Sequence, residues 1–227
     1  MKKMVMASVL CVFTLFAQTY KVEKVQGNVR ALIGNSEQWV EVKEGAKVSS
    51  ATVLMTDKNA VITLTGGGIK FTLKPSAALS VNSLRRMSID ELLLALAMEE
   101  ILSTPTKKKD ERNINTAIYG SNESGTKNAT TPYNQIGELK LNGAKQLAEN
   151  GFQETAILAA KETYRKYPQT KKNVSTRIYF AEQMIQLSLF DEALNEYSQL
   201  QTLSLNEAQT KAVREKLDFL KKKLSGM

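Results

Sequence analysis

The chain has 227 residues, 31 lysines and arginines against 23 aspartates and glutamates for a formal net charge of +8, and 42% apolar residues. That apolar share supports a packed core and excludes a globally disordered chain. There is no histidine, which excludes Ser-His-acid and Cys-His nucleophile activation and removes the commonest metal-binding imidazole.

Lys2 and Lys3 precede an uncharged apolar run from Met4 to Ala17, the pattern of an export signal peptide. The run is shorter than the roughly 20 apolar residues of a membrane-crossing helix. Residues 1–17 are therefore expected to be removed, leaving no stable membrane span. Cys11, the single cysteine, interrupts the run instead of following it, which argues against lipid attachment and leaves a mature chain without a thiol. The expected location is the periplasm or outer cell envelope, soluble or peripherally attached. The basic surplus is spread along the chain. Its short runs, Lys107-Lys108-Lys109 and Lys221-Lys222-Lys223, lack the concentrated footprint with stacking aromatics that nucleic acid requires, so no nucleic-acid partner is expected.

From Tyr20 to Val81 the apolar period is two. Val29, Ala31 and Ile33 alternate with polar or outward positions, Val40 and Val42 flank Glu41, and Ile69, Phe71 and Leu73 alternate with Lys70 and Thr72. Six or seven short strands follow, arranged as a compact antiparallel sandwich, roll or barrel. Gly66-Gly67-Gly68 precedes an alternating strand and lacks the lysine-hydroxyl ending of a phosphate loop, so it reads as a hairpin turn. Trp39, beside a strand, suits either a core position or an exposed platform for a sugar.

At Ser88 the period changes. Ser88-Ile89-Asp90-Glu91 is a capping box, and Ile89, Leu92, Leu93, Leu96, Ala97 and Ile101 form a wide apolar helical face. That face needs cover from the sheet or from self-association through residues 89–102. Residues 104–137 are polar and broken by Pro105, Gly120, Gly125 and Pro132, which reads as a linker holding one added strand at Thr116–Tyr119. Apolar spacings of three and four then predict helices over 139–148, 152–167, 174–189, 190–200 and 206–224, paired as antiparallel hairpins. The expected fold class is α+β in two domains. A β-domain with its terminal helix spans 18–103, the linker 104–137, and a helical domain 138–227.

The neighbouring acids Glu41/Glu44, Glu99-Glu100 and Asp191-Glu192 lie in turn or amphipathic contexts and read as solvated surface. No catalytic, cofactor-binding or metal-binding residue is expected, and the chain is not expected to be an enzyme.

Gly27-Asn28-Val29, Trp39 with Val42 and Gly45, the run Ala51 to Asp57, and Ile69 to Ser76 together resemble a FecR-like domain over about residues 22–82. Thr116-Ala117-Ile118-Tyr119-Gly120-Ser121 is similar to the segment that closes such domains. In the second half, Ala181, Met184, Ser188, Phe190, Ala193 and Tyr197 resemble the packing ladder of a tetratricopeptide repeat. Ala144, Leu147, Gly151, Ala156, Ala160 and Pro168 form an earlier copy at a spacing of 37. Two repeats are few for an independent solenoid, so docking onto the β-domain or a partner is expected.

The resemblance implies a non-enzymatic envelope adaptor or scaffold. Its β-module would bind an envelope component, and its helical groove an envelope protein. Orientation on the first helix of each pair nominates Asn142, Gln146, Arg177 and Gln183 for partner binding. Alternative roles are a module binding peptidoglycan or polysaccharide, with Trp39 or Tyr119 as platform for cell-wall glycan, and the periplasmic component of a signal relay.

Overall fold

The computed structural model describes residues 19–36, 38–104 and 133–226. The expected signal peptide, the added strand at 116–119 and Tyr119 lie outside the described residues.

Eight strands make the first half: β1 (Thr19–Gln26), β2 (Val29–Ile33), β3 (Trp39–Glu41), β4 (Lys47–Ser49), β5 (Thr52–Thr56), β6 (Val61–Gly66), β7 (Ile69–Leu73) and β8 (Ala77–Ser80). They form two four-stranded sheets ordered β4-β1-β6-β7 and β3-β2-β5-β8, with every pair antiparallel. The alternation buries Val29 and Ala31 from β2, and Phe71 and Leu73 from β7, in one core with Leu54, Ile62 and Leu64. Gly67 and Gly68 close the β6–β7 hairpin, and the Thr63 and Thr72 hydroxyls meet across it at 3.1 Å. Ile33 and Val40 depart from the expected inward alternation and are exposed. Ile33 ends its strand and Val40 sits on edge strand β3, where no second layer among the described residues covers them.

The second half holds α1 (Ile89–Ser103), α2 (Tyr133–Glu149), α3 (Gln153–Lys166), α4 (Val174–Gln186), α5 (Phe190–Leu200) and α6 (Glu207–Ser225). α1 starts on the anticipated capping box: the Ser88 hydroxyl accepts from the Glu91 amide at 3.2 Å, and the Glu91 carboxylate accepts from the Ser88 amide at 2.9 Å. α2 begins at Tyr133, ahead of the expected start at 139, inside the stretch read as linker. α1 packs chiefly against α3. Leu92 and Met87 enter a second core with Ile157, Met184, Tyr197 and Leu217.

The architecture is thus an antiparallel β region followed by a helical bundle with repeat-like packing. The turns show the repetition directly. The Phe152 amide bonds to the Leu147 carbonyl at 3.0 Å, and 37 positions later the Leu189 amide bonds to the Met184 carbonyl at 2.9 Å. The residue before each amide is left-handed, Gly151 at φ +80° and Ser188 at φ +61°. A Cβ in that region costs about 1–2 kcal/mol, and glycine's freer unfolded chain takes back about 0.4–1 kcal/mol, so Ser188→Gly is expected to raise stability by roughly 0.5–1 kcal/mol, read as a higher urea midpoint.

The two halves are not separate bodies of packing. Leu141, Ala144 and Leu147 of α2, with Phe152 and Ala156, belong to the same apolar cluster as the strands. The Phe152 ring meets Phe71 edge-on at 6.3 Å. Gly143 lets α2 lie directly on β8: a Cβ there would stand 2.1 Å from the Ala78 carbonyl oxygen.

Candidate functional site

Helical spacing gathers one set of charged and polar side chains on a common face. Lys161, Tyr164 and Arg165 stand at i, i+3 and i+4 on α3, and so share one side. Arg177 and Met184 are two turns apart on α4, and Glu192, Asn195, Glu196 and Gln199 follow the same rule on α5. With Leu93, Leu96, Ala97 and Glu100 of α1 they enclose a cleft of about 480 Å³. α1 supplies the apolar wall and α3 to α5 the polar one.

Glu196 is the centre of the polar wall. One carboxylate oxygen accepts from Arg177 Nε at 2.5 Å and the other from Lys161 Nζ at 2.5 Å. Arg177 also donates from Nη2 to Gln199 Oε1 at 3.1 Å. Glu196 is 3% exposed and Arg177 5%. Burial pushes the Glu196 carboxyl up, but the charges of Lys161 and Arg177 and their hydrogen bonds outweigh it and hold it below the usual carboxylate range. Beside it, Arg165 clamps Glu99 with two bonds, Nε to Oε2 at 2.6 Å and Nη2 to Oε1 at 3.1 Å, tying α1 to α3.

Tyr164 is the exception in this satisfied network. It is 4% exposed, and its hydroxyl has no partner among the described residues. Burial, then the negative charge of Glu196, pushes its ionisation far above the ordinary phenol value, while Arg177 pulls it down less strongly. The group is therefore a neutral hydroxyl able to donate or accept, buried on a residue that lines the cleft. Buried hydroxyls without a partner are uncommon and costly.

The residues nominated from sequence sit as follows. Asn142 Nδ2 donates to the Ser76 carbonyl at 3.0 Å, and Gln146 Oε1 accepts from the Lys74 amide at 2.7 Å. Both side chains join α2 to the β half, so they face the sheet and not an open groove. Gln183 Oε1 accepts from Gln153 Nε2 at 3.2 Å between helices. Arg177 alone of the four lines the cleft, already engaged with Glu196. Trp39 is half-buried on edge strand β3 in register with Leu32. Glu99 is no solvated acid but a largely covered partner of Arg165.

Sequence reasoning passes over Tyr164 and Glu196 and finds no neighbouring feature that marks Lys161. The available signal was the i, i+3, i+4 set on α3 recurring opposite an i, i+3, i+4 set on α5. Among the described residues no group of three or more histidines, cysteines or acids is placed to hold a metal ion, and no helix is long and apolar enough to cross a membrane. No family model, no curated protein and no solved structure matches this chain.

Proposed function

We propose that the chain is a non-enzymatic, exported adaptor of the cell envelope, built from a β-module of FecR-like type and helical hairpins of tetratricopeptide-like type. The recurrence of turns at 37 residues supports the second half of that description. The apolar run behind Lys2-Lys3 supports export to the periplasm or outer envelope. The β-module holds an envelope component, and the helical half docks a protein.

The observation that carries the reading is the outer face of α1. Leu94, Met98, Ile101 and Leu102 are 66%, 56%, 73% and 61% exposed. Leu94, Met98 and Leu102 recur every four residues and Ile101 follows Met98 by three, which places them in a single stripe. Scattered surface leucines are ordinary, but a contiguous apolar stripe on one helix marks an interaction surface. The nominated groove residues are taken up internally, so α1 is the better docking element.

The test is crosslinking in the native host from photoreactive residues at Leu94 and Ile101, followed by mass spectrometry. An envelope protein is expected in the crosslinked product, and the recovered mature chain is expected to start after Ala17. The triple variant L94E/M98E/I101E is expected to lose capture while its melting curve stays within about 0.5 kcal/mol of wild type, as for exposed positions in general. Capture of a second copy alone would make α1 a dimer interface instead. Absence of any envelope component would remove the adaptor reading.

A further inference from the structure

We propose that the cleft between α1, α3, α4 and α5 binds a small zwitterionic, amphipathic ligand: an amino acid or short peptide carrying both a free carboxylate and a free amine. The inference goes beyond the adaptor reading and does not rest on it, because Leu94, Met98, Ile101 and Leu102 of the docking stripe line no part of the cleft.

Three features select this chemistry. The first is size: about 480 Å³ lies within the range of ordinary small-ligand pockets and is far too small for a protein domain. The second is charge. Four acids and four bases line the cleft, so its wall carries no formal net charge and offers both signs to a ligand.

The third feature is unused hydrogen-bonding capacity of both kinds. On the donor side stand the Tyr164 hydroxyl, which has no partner among the described residues, and Lys161, whose ammonium has three N–H groups and gives one bond to Glu196. On the acceptor side, the Glu100 and Glu192 carboxylates line the cleft with no ion-pair or side-chain partner among the described residues. Glu196 cannot serve as the acceptor, since both its oxygens are already engaged by Lys161 and Arg177.

The ligand's carboxylate accepts from Tyr164 and Lys161 at the covered end. Its amine donates to Glu192 and Glu100 toward the open side. Its apolar side chain lies on Leu93, Leu96 and Ala97, with Met184 behind. Such a ligand satisfies the buried hydroxyl that the described residues leave without a partner in the cleft lining, and no single-sign ligand satisfies both sets.

The experiment is calorimetric titration of the full mature protein with leucyl-leucine, its N-acetyl form and its C-terminal amide, and with free leucine. Leucyl-leucine or leucine is expected to bind, and blocking either terminus is expected to weaken affinity at least about tenfold, the worth of a lost charge-assisted hydrogen bond. Tyr164→Phe is expected to weaken binding about tenfold while leaving the unfolding midpoint of the free protein unchanged or raised, since it deletes an unsatisfied hydroxyl. Glu192→Gln is expected to weaken the amine-bearing probes and leave the N-acetyl form as it was.

The proposal is overturned if neither leucine nor leucyl-leucine binds, or if the blocked forms bind equally. It is also overturned if Tyr164→Phe binds like wild type, or if that variant is less stable than wild type, which would mean that the hydroxyl has a partner within the fold. None of these outcomes bears on crosslinking from α1, so the two ideas fail separately.

Discussion

Glu196→Ala is expected to lower stability by about 3–5 kcal/mol, the cost of removing one partner from a buried ion pair. The acid is 3% exposed and takes bonds from two cations on different helices. Truncating it strands Arg177, itself 5% exposed, with Gln199 as its remaining acceptor. Lys161 suffers less because it is part-exposed and can turn to water. Urea unfolding followed by circular dichroism reads the loss. A control separates the pair from its packing: Glu196→Leu combined with Arg177→Met removes both charges and is expected to recover most of the loss, because a buried pair is often worth little over an apolar replacement.

The same residue fixes a pH dependence. Its carboxyl is held below the normal range in the folded state, so the folded protein binds that proton less tightly than the unfolded chain. The stabilisation is therefore fully present above the unfolded carboxylate value of about 4.3, and is lost as pH falls through the lower folded value. Melting temperature is expected to fall between neutral and acid pH, and to fall less steeply in the Glu196→Leu/Arg177→Met double variant. Equal slopes in the two proteins would show that Glu196 is not a determinant of acid stability.

Local rules foretold the elements and missed the joins. The capping box at Ser88, the alternation of Ile69 to Leu73 and the three-four spacing of the helices each depend on residues within one turn or one strand; the first two appear where expected, and each expected helix forms, α2 from an earlier start. The polar network does not work that way. Arg165 and Glu99 are 66 residues apart, and Lys161 and Glu196 are 35 apart. In sequence Glu99-Glu100 is simply a pair of acids on an amphipathic helix. Nothing local tells that Glu99 turns to a guanidinium on α3 while Glu100 stays open.

Asn142 and Gln146 failed for a related reason. They lie on the face of the first helix that a stacked repeat would present to a groove, but α2 uses that face against a strand. The sign was Gly143 between them. A glycine inside a helix costs about 1 kcal/mol relative to alanine, and two amides flanking it at one and three positions mark a face built for backbone contact. Read together, the three residues describe a helix laid on a strand.

That join carries the second large effect. Gly143→Ala is expected to destabilise the protein by roughly 3 kcal/mol and Gly143→Leu by more, at the upper end of overpacking costs. The added Cβ would sit 2.1 Å from the Ala78 oxygen and 2.9 Å from its carbon. Neither is a flexible side chain that can swing away. Ala78 is pinned in β8 by its pairing with Met55 of β5, so the helix must withdraw. Withdrawal stretches the Asn142 bond to the Ser76 carbonyl and the Gln146 bond to the Lys74 amide, each worth about 1 kcal/mol. It also opens the apolar contact of Leu141, Ala144 and Leu147 with the strands, and alanine's better helix propensity offsets only about 1 kcal/mol of the total. Because one cluster spans both halves, the wild-type protein is expected to unfold in a single transition. Gly143→Leu is expected to split it, the helical signal persisting after the β signal is lost or the reverse, as seen by comparing far-ultraviolet circular dichroism with the fluorescence of Trp39. An unchanged single midpoint in both variants would mean that the two halves do not depend on this contact for their stability.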